Sequence, residues 1–143
     1  RMTQELDDNW KPLRDAAVAA MNRAHAPYSK FRVGAALEAT DGRLFIGCNV
    51  ENASYPVTMC AERVALGSAV AAGAVEFRRL FLCADSDDPA PPCGMCRQAL
   101  AEFSPDLNIL SEGMSGARVE WRLCELLPAM FRLDPPQPEG LAQ

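Results

Sequence analysis

Two short stretches constrain this chain more than anything else in it: Cys60-Ala61-Glu62-Arg63 and Pro92-Cys93-Gly94-Met95-Cys96-Arg97-Gln98. The second holds a C-x-x-C pair, its sulfurs just under one helical turn apart. The first adds a third cysteine and, two residues on, a carboxylate able to lie beside a metal without binding it. Three thiolates leave one position of a tetrahedral zinc free for water, the pattern of a catalytic rather than a closed structural site. A carboxylate next to that water can take its proton and hand it on. Whatever fold forms must bring both stretches around one ion.

Each stretch reads as the opening of a helix, where free backbone N–H groups and the positive dipole end stabilise thiolates. Arg63 adds to this, since a guanidinium beside sulfur relieves the excess charge of three thiolates on Zn²⁺. A fourth Cys or His at structural-site spacing is missing from the sequence. Glu62 therefore reads as the proton-transfer group rather than a surface acid. For Arg97 an ordinary solvated helix position and a role at the site stand level.

At 143 residues the chain is most simply one domain over 1–133, followed by a Pro-rich tail at 134–143 expected to be mobile. Its formal charge of −5 and lack of basic runs argue against a nucleic-acid surface and favour a small uncharged substrate. No apolar run is long enough to cross a bilayer, and no leader-like segment opens the chain. Of the six cysteines, Cys48, Cys83 and Cys124 sit singly in apolar segments and read as reduced core residues. That implies a reducing, cytoplasmic setting.

The pattern along the chain predicts a helix over Leu13–His25, with Ala17, Ala20, Met21 and Ala24 on its apolar face. The single histidine, His25, reads as a helix-end residue rather than a ligand. Strands over Phe31–Ala39 and Leu44–Val50 flank the hairpin signal Asp41-Gly42. The polar run from Asn49 to Pro56 fits a solvated loop and a substrate-binding loop equally well. Helices from Cys60 to Ala72 and from Cys93 to Phe103 bracket a strand over Arg79–Ala84. Two strands (Leu107–Leu110 and Ala117–Leu123) and a short helix from Glu125 complete the chain. The alternation predicts a three-layer α/β/α fold on a mixed five-stranded sheet, because the early hairpin cannot be parallel.

At these residues the chain resembles the cytidine deaminase family, in particular its small homotetrameric branch, whose zinc motif is a known signature. The motif here has Cys60 where many zinc deaminases carry His. The resemblance extends to Pro27-Tyr28-Ser29-Lys30-Phe31-Arg32-Val33-Gly34-Ala35-Ala36 and to Gly47-Cys48-Asn49-Val50-Glu51-Asn52-Ala53-Ser54-Tyr55, and runs to Phe131. It implies a cytidine deaminase-like fold, one zinc per subunit on Cys60, Cys93 and Cys96, and Glu62 as proton shuttle. It further implies that Asn49 and Glu51 hold the ribose 3′-hydroxyl, Phe31 forms a pocket wall, and the Ala61 N–H meets the pyrimidine O2. Ala53 and Tyr55 correspond to contacts from a neighbouring subunit, and Phe131 to an aromatic stacking on the base across the interface. Spacing alone would make Phe131 a core anchor of the last helix.

The implied reaction is hydrolytic removal of the 4-amino group of cytidine and deoxycytidine, as in pyrimidine salvage. Three rivals stand beside it: deamination of a nucleoside antibiotic of the blasticidin type, deamination of bases in DNA or RNA, and a noncatalytic zinc-bound oligomerisation module. Asn49 and Glu51 count against the first, the negative charge against the second, and Glu62 against the third.

Overall fold

The computed structural model describes residues 2, 3 and 5–134. Apart from Asp134, the predicted tail lies outside them. In chain order the elements are β1 (Met2–Thr3), α1 (Lys11–Met21), β2 (Val33–Ala39), β3 (Leu44–Cys48), α2 (Ala61–Ala71), β4 (Phe77–Ala84), α3 (Gly94–Ala101), β5 (Asn108–Glu112), β6 (Arg118–Arg122) and α4 (Leu123–Leu126). Single 3-10 turns lie at Asp8–Trp10 and Tyr55–Val57.

The five expected strands form one mixed sheet, and the two-residue β1 extends it in the order β1-β6-β5-β4-β2-β3. Only β4 and β5 run parallel; every other neighbouring pair is antiparallel. Period-two alternation sends successive side chains of β2 and β4 to opposite faces. Ala36, Phe81 and Cys83 pack with Leu13, Ala17 and Met21 of α1 on one side. Ala35, Leu37, Leu80 and Leu82 pack with Ala61, Ala65 and Leu66 of α2 and Leu100 of α3 on the other. The layers are therefore helix, sheet, helices.

Two glycines set the spacing of those layers. A Cβ on Gly34 would stand 2.0 Å from the Ala17 carbonyl oxygen, and one on Gly47 would stand 2.2 Å from that of Ala61. Both helices thus rest on bare strand backbone, a use glycine serves where chains approach closely.

The first helix stops at Met21, four residues before the expected end. Arg23 and Ala24 donate to carbonyls three residues back, which tightens the last turn. His25 then leaves the helix and exchanges backbone bonds with the loop, its N–H donating to the Asn49 carbonyl and its carbonyl accepting from Glu51 N–H. Pairing with that loop wins over one more helical turn. Cys124 is a second correction: it is exposed at the start of α4 rather than in the core, whereas Cys83 is buried and Cys48 half-buried. Phe131 is a third. It is 67% exposed and anchors nothing in the core, although its carbonyl accepts from Gln98 Nε2.

Candidate active site

Cys60 caps α2 and Cys93 caps α3, both with extended backbone, and Cys96 lies one turn into α3. The caps arise because residues before each helix are held extended. Val50 and Met59 bond each other's backbone and close the 50–59 loop just ahead of Cys60. The Asp85–Pro92 loop is pinned to β5 and to the turn after it: Ser111 Oγ donates to the Ala90 carbonyl, and Ser115 Oγ to that of Asp87. On the same face of the sheet, the two helix starts then lie side by side.

The sulfurs of Cys60 and Cys93 lie 3.7 Å apart, and all three cysteine sulfurs fall within 4.8 Å of one another. Zn–S bonds near 2.3 Å at tetrahedral angles put sulfurs about 3.8 Å apart, so this donor set fits one zinc ion. Hydrogen bonding from the Cys96 thiol, helped by Cys93 and Arg63 and opposed by burial, pulls the Cys60 thiol down to about 5. The reciprocal bond to Cys60, burial and the nearby Glu62 charge push Cys96 upward. One sulfur in the cluster is thus prepared to be a thiolate at neutral pH, the form a metal binds.

Glu62 is 5% exposed. Burial, reinforced by the charge on Cys60, raises its carboxyl to about 7. That places its proton affinity where a group can both accept and release a proton near neutrality. Arg63 donates from Nη2 to the Thr58 carbonyl at 3.1 Å, and its Nε is buried without a partner among the described residues. Burial disfavours the charge on Arg63, but its contacts with Cys60 and Cys96 outweigh this and hold it protonated more firmly. Arg97 is no solvated helix residue. Its Nε donates to the Pro92 carbonyl at 2.8 Å and its Nη1 to that of Leu126 at 3.1 Å, tying the loop before Cys93 to α4.

A cavity of about 180 Å³ opens over this cluster, with Phe31, Asn49, Cys60, Ala61, Glu62 and Cys93 in its wall. Val33, Leu82, Ala84, Met59, Ala90 and Pro91 complete an apolar lining that sequence reading did not single out. Their signal was available in part, because Leu82 and Ala84 end the strand that runs parallel to β5, and sites in such sheets gather at strand carboxyl ends.

The remaining candidates divide. Asn49 is buried, accepting at Oδ1 from Val33 N–H (2.8 Å) and donating from Nδ2 to the Phe31 carbonyl (2.8 Å). Glu51 is also buried, but its Oε1 accepts from Tyr28 N–H (3.0 Å) and Ser29 N–H (3.1 Å), and its Oε2 from the Ser29 hydroxyl. Its side chain therefore faces the 28–29 turn beside the cavity. Ala53, Tyr55 and Phe131 are exposed and lie outside this chain's cavity wall.

Residues 9–111 match the family described as the cytidine and deoxycytidylate deaminase zinc-binding region. A cytidine deaminase of Sporosarcina psychrophila is 44% identical over 113 residues, covering 78% of this chain and 83% of the relative. A blasticidin-S deaminase of Bacillus cereus is 33% identical over 111 residues, covering 72% of this chain and 79% of that protein. The crystal structure of a cytidine deaminase from Burkholderia pseudomallei superposes with a TM-score of 0.82 at 43% identity, covering 88% of this chain and all of that one. With its three sulfurs gathered to hold a metal and a buried acid beside them, this chain belongs to the zinc-dependent cytidine deaminase family.

Proposed function

We propose that the protein converts cytidine to uridine and deoxycytidine to deoxyuridine, consuming water and releasing ammonia. The observation that carries this is Glu62, buried at an apolar cavity wall beside three converging sulfurs. Zinc held by Cys60, Cys93 and Cys96 would supply Lewis acidity, bringing the pKa of bound water near 7. Glu62 would take one proton from the water that adds to C4 and deliver it to the pyrimidine N3. It would then carry that oxygen's second proton to the 4-amino group, which leaves as ammonia when the C4–N bond breaks. The N–H of Ala61, in the first turn of α2 where backbone donors lack helical partners, is offered to the pyrimidine O2. Phe31 walls the base, and Asn49 in the same wall would hold the ribose 3′-hydroxyl together with Glu51, whose carboxylate lies beside the cavity on the 28–29 turn.

Among the residues lining the cavity, Glu62 and the thiols are the ionisable groups, and none is Lys or Arg. A phosphate would enter without a partner and against a carboxylate, which favours a free nucleoside over a nucleotide or a nucleic acid. The cavity is smaller than the roughly 300–1,000 Å³ of complete ligand sites. This supports a homotetramer in which Ala53, Tyr55 and Phe131 of neighbouring subunits finish the pocket. Tyr55 and Phe131, at 68% and 67% exposure, offer aromatic surface for such contacts. No helix among the described residues is long and apolar enough to cross a membrane. Six free thiols fit a reducing compartment such as the cytoplasm.

Loss of cytidine absorbance with stoichiometric ammonia release from purified, zinc-loaded protein tests the reading. Turnover of blasticidin S in place of cytidine would transfer the same chemistry to a nucleoside antibiotic. A protein that binds zinc and deaminates neither is a noncatalytic module.

A further inference from the structure

The turn before β2 carries a relay that the reaction does not by itself require. Phe31, a wall of the cavity, has both of its backbone polar groups held by side chains. Its N–H donates to Ser29 Oγ at 3.0 Å, and its carbonyl accepts from Asn49 Nδ2 at 2.8 Å. The Ser29 hydroxyl has one proton. Because its oxygen already accepts from Phe31, that proton is free to go to Glu51 Oε2, as the geometry shows. The same carboxylate accepts the N–H groups of Tyr28 and Ser29. Between these anchors Lys30 adopts φ 60°, a left-handed conformation uncommon for a residue with a Cβ. The turn is therefore held in a shape its own backbone would not choose, and the group holding it is a buried carboxylate.

We propose that Ser29 is a positioning residue for the substrate cavity, its hydroxyl linking buried Glu51 to the backbone of Phe31 and so fixing the aromatic wall against which the base lies. This rests on the nucleoside reading above for its kinetic consequence, but the relay itself is a property of the fold. Ser29 touches neither the sulfurs nor Glu62, so its loss acts on substrate binding and leaves proton transfer intact.

The test has two arms. In Ser29→Ala, KM for cytidine rises about tenfold, the size expected for losing a charge-assisted bond, while kcat stays within about twofold and zinc content is unchanged. Ser29→Thr, which keeps the hydroxyl, restores KM. In a Phe31→Ala background the Ser29→Ala effect disappears, because the wall it positions is gone. An unchanged KM in Ser29→Ala, or a full additive effect in the Phe31→Ala background, overturns the proposal. The second arm needs no substrate. Hydrogen exchange at the Phe31 amide is slow in the native chain and accelerates at least about tenfold in Ser29→Ala. An unprotected Phe31 amide in the unmutated protein overturns the relay. A native protein inert toward cytidine removes the nucleoside reading, and the exchange arm still decides the relay.

Discussion

Glu62 shows how much position matters to an ordinary acid. As the second residue of α2, it would sit well on any exposed helix start. Here burial and the neighbouring Cys60 charge bring its carboxyl to about 7. Glu62→Gln keeps the shape and removes the proton, so kcat falls by about 10²–10⁴-fold with zinc content retained. Zinc analysis beside steady-state kinetics checks both halves of that expectation. Arg63 interacts with two of the same sulfurs, those of Cys60 and Cys96. Arg63→Ala, by returning charge to the thiolates, shifts the pH–rate profile; a profile identical to the native one would leave Arg63 without a part in the chemistry. Glu51 behaves oppositely to Glu62. The Ser29 hydroxyl and two backbone N–H groups hold its carboxyl below the ordinary glutamate value of 4.5. The unfolded chain therefore binds more protons than the folded one as pH falls through this range. The stability Glu51 contributes is present above about 4.5 and is lost as pH drops through the lower folded value. Acid unfolding curves of Glu51→Gln should be less steep in that window.

At the scale of elements, the site depends on how closely two helices approach the sheet. The start of α2 is held against β3 through Gly47, and α1 is held against β2 through Gly34. Gly34→Ala forces backbone apart, so it should destabilise by about 3 kcal/mol, at the upper end of overpacking costs. A lower urea midpoint at constant slope would show this. The loop before Cys93 is held as firmly, by Arg97 from behind and by Ser111 from the neighbouring strand. These contacts place a second helix start within an ion's reach of the first.

For the whole molecule, assembly would decide what covers its large exposed apolar side chains. Tyr55, Val57, Met95 and Phe131 each expose more than half of their surface. A homotetramer of this 15.5 kDa chain gives a solution mass near four times that value by light scattering. Substituting Phe131 by Ala should then raise KM through a neighbour's site while the zinc remains bound. A monomer with full activity would remove the shared-pocket proposal.

Much of this could be read without coordinates. The spacing of Cys60, Glu62, Cys93 and Cys96 specified metal chemistry because few other uses need those residue types together, and the alternation of helices and strands gave the layers because period follows burial. Asp41-Gly42 marked its hairpin for the same local reason. What sequence could not settle depended on contacts between distant residues. Pairing of His25 with the 49–51 loop ended α1 early, a competition between local and long-range hydrogen bonds that no helical propensity records. The carbonyls that claim Arg97 come from the loop before Cys93 and from α4, and the turn that claims Glu51 is more than twenty residues away. Residue type and spacing determined what chemistry the chain carries, whereas the close packing of its layers decided which groups are buried, which carboxylate titrates near neutrality and which side chains hold the cavity in shape.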